Sequence, residues 1–434
     1  MWLASLSLSV SDKHWGKAHS TELSYYTAVG DAFSSPALGV KTDGYQSLEI
    51  TLLKVFRVLI ALVPLLLAGC DSPPVPPIKI GVVVPLSGDY GIYGKAAKQA
   101  AQLAVEQINA AGGVLEGQQL ELVVRDNRTD PELAVNQARD LINTDGVLAL
   151  LGPVSSKVRE AMLPVSEAQQ VPLLYGMDYE GGQFSPWLIC YSPVPAHSIA
   201  PVVPFMEQAF GKRFYIFGYD YVWPHKMAEA IEQAVIAAGG EVVGKEFTPF
   251  GRPDFSDVIH RIQEADTDNL MLLLPGSDGF AFIRQAYIMG ASRKFKTLAF
   301  AADENYLFAL RSTELEGIYT VAHFFSDTAA PRARAFSGAY ARRYPDDVAT
   351  YTAKAHYDLI YLLARAINAT GSKDKAAIVK AMENIRLDNE GTAIQMRADH
   401  HFNLPMYLAQ FERGGLWVKR SLGLIEPPDQ RLRH

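Results

Sequence analysis

The sequence predicts an α/β protein built as two doubly wound, parallel-sheet lobes. Three observations lead there. From Ile78 onward, short apolar runs rich in β-branched residues alternate with longer segments of helical apolar spacing; uniformly apolar strands separated by helices read as parallel sheets covered on both faces. The alternation comes as two successive series, separated at Pro193-Val-Pro195. The chain has 434 residues, 49% of them hydrophobic, which is enough for two large cores and excludes a mainly disordered protein.

In the first series, Ile78–Val84 reads as a buried strand. A helix follows over Gly94–Ala111, with Ala97, Ala101, Ala104, Val105 and Ile108 on one face and a stop at Gly112-Gly113. Leu120–Val124 is the next strand. Asp130-Pro131 then opens a helix to about Asn143, the Asp as N-cap and the Pro in the first turn. Strand Val147–Leu151, helix Ser155–Ala168, strand Val171–Tyr175 and the buried run Leu188–Tyr191 complete the series. The second series reads as helix His197–Phe210, strand Phe214–Gly218, helix Pro224–Ala238, strand Glu241–Phe247 and helix Phe255–Ala265. Strand Asn269–Leu274, helix Asp278–Met289 and strand Thr297–Ala301 end it. Further helices are expected at Pro331–Tyr344, Thr350–Thr370 and near Lys373–Glu383, with a strand pair at Met406–Glu412 and Leu416–Arg420.

Ahead of this body, Lys54 and Arg57 precede the apolar run Val58–Gly69, and Cys70 follows. A basic flank and a short apolar run make a secretory signal peptide over residues 51–69; the run is too short, and broken by Pro64, for a membrane span. Its end, Leu67-Ala-Gly-Cys70, resembles the lipobox of bacterial lipoproteins, in which the cysteine thiol takes a diacylglycerol before cleavage. Residues 1–50 are polar, without period, and stand where a signal peptide should begin; they read as a wrongly chosen start or a non-structural leader. Residues 70–77 hold four prolines and read as a stiff tether. Once Cys70 is lipidated, Cys190 has no disulfide partner and reads as a packed thiol.

Several chemistries are disfavoured. A net charge of −7 argues against nucleic acid as the main partner. Two cysteines exclude a zinc cluster or a disulfide framework. Gly88-Asp-Tyr-Gly-Ile-Tyr-Gly94-Lys95-Ala96 sits where a phosphate loop would, but its spacing fails and Ala96 replaces the magnesium-binding hydroxyl; its glycines can still let backbone N–H groups approach a ligand. His400-His401 lacks metal-site spacing and reads as a polar turn before a strand. No Gly-x-Ser-x-Gly elbow occurs. The sequence therefore points to no enzyme, no cofactor and no metal.

Taken together, Ile80–Gly88, Ala104–Gly113, Asp126 with Asp130-Pro131, and Leu151-Gly-Pro-Val-Ser-Ser156 resemble the type I periplasmic solute receptors, the Leu/Ile/Val-binding-like group that serves ABC importers. Within that group, Tyr179-Glu-Gly181, Asp220–Pro224, Thr248–Gly251 and His400-His401 look closest to the amide- and urea-binding receptors. Pro153-Val154 and Met177-Asp178 depart from the pattern of those receptors. The resemblance implies a small polar solute held between two lobes, a membrane permease as partner, and a site outside the cytoplasm, on a lipid anchor at Cys70. It also implies three hinge crossings, near Tyr191–Pro195, His323–Asp327 and Ile385–Gly391. Lobe 1 then comprises 78–194 with 324–388, and lobe 2 comprises 195–323 with 389–425. Two rivals stand beside this reading: a sensor of the same fold acting on a regulator, and a hydrolase, for which no nucleophile–base pair is found.

Ligands of open α/β sheets bind beyond the carboxyl ends of the strands. Tyr93, Ser155, Ser156, Tyr175, Met177 and Asp178 follow strands of the first series; Tyr221, Trp223, Asp278 and Asp303 follow strands of the second. Ser155 and Ser156 open a helix and can hold a carbonyl or carboxylate oxygen. Tyr221 and Trp223 suit a half-wet cleft wall. Tyr175 and Met177 fit either ligand contact or packing between lobes. Asp178 must be paired if buried, either with a cationic group such as a ligand ammonium or with a lysine or arginine of the protein.

Overall fold

The computed structural model describes residues 75–389 and 392–432. The predicted signal peptide and Cys70 lie outside the described residues.

The chain runs β1 (Ile78–Val84), α1 (Gly91–Ala110), β2 (Leu120–Asp126), α2 (Pro131–Asp140), β3 (Ala149–Leu151), α3 (Ser156–Gln169), β4 (Leu173–Tyr175) and β5 (Leu188–Cys190). It continues as α4 (Pro195–Ser198), α5 (Val203–Phe210), β6 (Arg213–Tyr219), α6 (Val222–Ala238), β7 (Glu241–Thr248), α7 (Ser256–Glu264), β8 (Asn269–Leu273), α8 (Ser277–Ile288) and β9 (Lys296–Ala299). Then come α9 (Tyr306–Ala309), α10 (Ser312–Leu315), β10 (Tyr319–Ala322), α11 (Pro331–Arg343), α12 (Tyr351–Thr370), α13 (Lys375–Met382), the hairpin β11 (Arg386–Asn389) and β12 (Thr392–Gln395), β13 (Leu404–Glu412) and β14 (Gly415–Ile425). Local chemistry explains the boundaries. The Asp130 carboxylate accepts from the N–H groups of Glu132 and Leu133, with Pro131 in the first turn, so α2 starts where expected. Thr350 and Asp374 cap α12 and α13 in the same way, and left-handed Gly239 and Gly371 end α6 and α12.

Two sheets form. The first, β2-β1-β3-β4-β5, is parallel throughout. The second, β14-β13-β10-β9-β8-β6-β7, is parallel from β10 to β7 and antiparallel where β13 pairs with β10 and β14. The central strands are buried along nearly their whole length, as their apolar runs require. Late helix α12 returns to the first sheet and packs along α1, where Tyr357 and Tyr361 both donate to Gln107 Oε1.

Differences from expectation are local. The helix expected over His197–Phe210 is two, α4 and α5, with Pro204 in the first turn of the second. Strand β10 and the β11–β12 hairpin were not anticipated, being four-residue runs without a clear alternation. The His400-His401 turn precedes β13 as expected, but both rings are buried. The third crossing moves: Cys190 N–H still bonds to His400 O at the edge of the first sheet, and the chain joins the second sheet at Leu404. We therefore draw that passage at His401–Leu404, beyond Ile385–Gly391, part of which lies outside the described residues.

The first turns of α1 lie hard against the end of β1. A Cβ on Gly94 would sit 1.7 Å from Pro85 O. Gly94→Ala should therefore lower unfolding stability by about 1–3 kcal/mol or more, the usual cost of overpacking against backbone. Urea unfolding of wild type and variant reads this, with an unchanged midpoint as the contrary result.

Candidate functional site

The carboxyl ends of both sheets face one narrow cleft. Tyr90, Val154, Ser156, Met177 and Asp178 enter it from turns after strands of the first sheet; Tyr221, Trp223, Pro275 and Ala301 enter from turns after strands of the second. This convergence of strand-end turns from both sheets selects it over larger grooves on the surface.

The two walls touch. Tyr90 and Tyr221 share a hydrogen bond between their hydroxyls at 3.0 Å. The Tyr90 ring meets Phe250 edge-on at 5.7 Å and Tyr219 at 6.2 Å, and Tyr221 stacks on Trp223. Tyr93 donates to Ala301 O at 2.8 Å, and the Ser277 hydroxyl donates to Asp89 Oδ1 at 2.5 Å. Ala301 has φ +57, a left-handed conformation unusual outside glycine. Gly276, at φ +89, lets Asp89 O approach so closely that a Cβ would lie 2.4 Å from it.

Ser155 and Ser156 open α3. Ser155 makes no side-chain cap bond; its carbonyl accepts from the Val158 and Arg159 N–H groups, which leaves the N–H groups of Ser156 and Lys157 for other acceptors. Ser156 Oγ accepts from Arg159 Nη1 at 3.1 Å. Arg159 is fully buried; it binds Glu180 Oε1 at 2.6 Å and lies over the Tyr179 ring at 4.4 Å. Burial, the largest single effect, works against its charge, but Glu180 together with Tyr175, Tyr179 and Cys190 more than offsets it and keeps Arg159 protonated. Tyr175 donates to Val154 O at 2.9 Å and does not line the cavity; Met177 lines it, with its Sδ beside the Tyr351 and Thr352 hydroxyls.

The acids differ sharply. Asp278 accepts from Gly251 N–H at 2.7 Å and stands off the cavity wall; its carboxyl is raised first by burial. Asp178 lines the cavity, its Oδ1 sealed from water without a partner, and burial pushes its pKa up to about 8. Asp303, fully buried, accepts from Asn305 N–H through Oδ1, while Oδ2 has no partner. Burial raises it well above the carboxylate range, and Glu304 and Asp178 add to the shift. Among the described residues no lysine or arginine pairs with either. Trp223 Nε1 and the Tyr219 hydroxyl are likewise buried without partners.

The strand-end argument named Ser156, Met177, Asp178, Tyr221 and Trp223, all on the cavity wall. It passed over Tyr90, Val154, Pro275 and Ala301. Tyr90 could have been found beside Tyr93 as a second ring inside the glycine-rich Gly88–Gly94 stretch; the other three present apolar surface or backbone and leave no sequence signal.

The chain matches the model of the family described as "Periplasmic binding protein" over residues 77–415. The chain belongs to that family. Curated relatives include Leu/Ile/Val-binding protein homolog 6 of Brucella abortus, 26% identical over 320 residues, covering 71% of this chain and 80% of the relative. Homolog 7 of Brucella suis is 27% identical over 365 residues, covering 77% and 88%. Among solved structures, an amino acid ABC transporter substrate-binding protein from Pseudomonas fluorescens superposes with a TM-score of 0.74 at 24% identity, covering 82% of this chain and 97% of that one. A branched-chain amino acid transporter substrate-binding protein from Streptococcus pneumoniae, in complex with isoleucine, gives 0.72 at 23%, covering 81% and 100%. A solute-binding protein from R. palustris with 4-hydroxybenzoate gives 0.72 at 21%, covering 81% and 97%. This periplasmic binding protein thus has the type I, two-lobed fold, and its family binds solutes and does not transform them.

The Gly276 contact gives a direct test of closure. Gly276→Ala should hold the binding protein partly open, because its Cβ meets backbone of the opposite wall. With a solute that compacts the parent protein, small-angle scattering should show the variant at a larger radius of gyration, and affinity should fall about tenfold or more. Equal compaction and affinity would mean that the 275–277 turn does not govern closure.

Proposed function

We propose that this protein is an extracytoplasmic receptor that captures a small polar solute of the amino acid, short amide or urea type between its lobes and hands it to an ABC-type importer. One observation carries the reading: a narrow cleft is walled in nearly equal parts by strand-end turns of both sheets. A ligand in it touches both walls and so favours the closed form by its differential affinity. The family match and relatives named for Leu/Ile/Val binding support the solute class. The amide and urea part rests on sequence resemblance alone. Anchoring at Cys70 is proposed from the apolar run that ends in Leu67-Ala-Gly-Cys70.

Thermal-shift screening of the purified body against amino acids, amides, ureas and aromatic acids tests the receptor reading. A true ligand at 100 times its Kd adds about 2.7 kcal/mol of stability; no shift with any solute would count against it. Mass spectrometry of the native N-terminus should find a diacylated Cys70, and Cys70→Ser should release the protein or leave it unprocessed. A membrane-bound chain starting at Met1 would exclude the anchor.

A further inference from the structure

We infer that segment 426–432, which follows β14, is a strap. It fastens the second lobe back onto the first beside the hinge and narrows the range over which the lobes part, with Gln430 as its fastening residue. This rests on the two-lobed fold and on no particular solute.

β14 ends at Ile425, at the edge of the second sheet. The chain then runs onto the first lobe. Glutamine is mostly an exposed residue, yet Gln430 is only 6% exposed. Its Oε1 accepts from the Gly182 N–H at 2.7 Å, in the connection between β4 and β5. Its Nε2 donates to Pro428 O at 2.6 Å, and its backbone N–H donates to Asp399 Oδ2 at 2.9 Å. Asp399 is itself buried just ahead of the passage at His401–Leu404, and its Oδ1 accepts from the His401 N–H at 3.2 Å. Arg397 holds the start of the strap: it donates to Pro427 O and lies 3.4 Å from Asp399 Oδ2 and 3.8 Å from Glu426 Oε1. The fit is close. A Cβ on Gly181 would lie 2.8 Å from Gln430 Oε1, and 3.5 and 3.7 Å from Val194 and Pro195 of the first passage. The strap thus touches the first and third passages together and adds a fourth link between the lobes.

Rotation about the passages carries β14 away from Gly182 and Asp399. Pro427 and Pro428 fix φ at two of the strap's positions and leave it little slack. Drawing Gln430 off would leave the buried Asp399 carboxylate short of one donor and the Gly182 N–H without its acceptor, and each loss opposes opening. The fastened connection also continues from Met177 and Asp178 of the cleft wall, so the strap steadies the first-lobe side of the cleft. A receptor held nearer its closed form binds any solute more tightly, because affinity scales with the fraction of molecules already in the binding-competent form.

The experiment measures the separation of the lobes without any solute. Glu167 on α3 and Gln233 on α6 are exposed on opposite sides of the groove between the lobes. Spin labels on Glu167→Cys and Gln233→Cys, in the full chain carrying Cys70→Ser, report the distance by pulsed dipolar spectroscopy; Cys190 is buried and takes no label. This parent is compared with Gln430→Met, which keeps the volume of the side chain and removes its amide, and with a chain ended after Ile425. Both should give a longer and broader distance distribution than the parent, the shortened chain at least as much as Gln430→Met. Hydrogen exchange at the Gly182 amide should be about tenfold faster in both. A shortened chain with the parent's distances would overturn the strap, whatever its melting temperature, since a tail that only covers surface lowers stability without moving the lobes. Parent-like distances in Gln430→Met beside a shortened chain that opens would overturn Gln430 as the fastening. Should the shortened chain not fold, Gln430→Met decides alone, and parent-like distances in it overturn the proposal. None of these outcomes depends on which solute the receptor binds.

Discussion

Each parallel pair in the two sheets needs a helical crossover, and that requirement sorts the loops by edge. Turns that leave a strand gather at the carboxyl edge, and turns that return gather at the other. With two such sheets in one body, the carboxyl edges of both meet across a single cleft, and Tyr90, Ser156, Asp178, Trp223 and Ala301 meet there although they span nearly half of the chain. Their chemistry varies; their position is set by topology.

Two buried cations of the protein are paired, Arg159 with Glu180 and Lys354 with Asp358. At the cleft, Asp178, Asp303, Trp223 and Tyr219 each hold an atom with no partner. Each such atom costs stability when the walls are together. It also gives an incoming solute more to gain from closure than from contact with one wall alone.

Much of this was legible beforehand, for physical reasons. Strands buried on both faces leave uninterrupted apolar runs, so β1, β6 and β8 stood out, and the Asp130-Pro131 cap marked α2 to the residue. Short elements were not legible: β10 and the β11–β12 hairpin are four-residue runs whose pairing depends on neighbours far away in sequence. The His400-His401 turn looked polar and solvated, yet His401 packs against Tyr179 and bonds to Asp399, contacts no local pattern announces. At the site, the strand-end rule located side chains that carry polar chemistry. It missed Val154, Pro275 and Ala301 because they contribute shape. It also named Asp278, whose carboxylate binds the Gly251 backbone, and Asp303, whose burial could not be read from composition.

Helix α12 packs along α1 although Gln107 and Tyr357 lie 250 residues apart. A chain delivered N-terminus first cannot cover the α1 face until nearly all of it has emerged. The first lobe therefore stays unfinished through most of synthesis, and contacts of such long sequence separation form slowly.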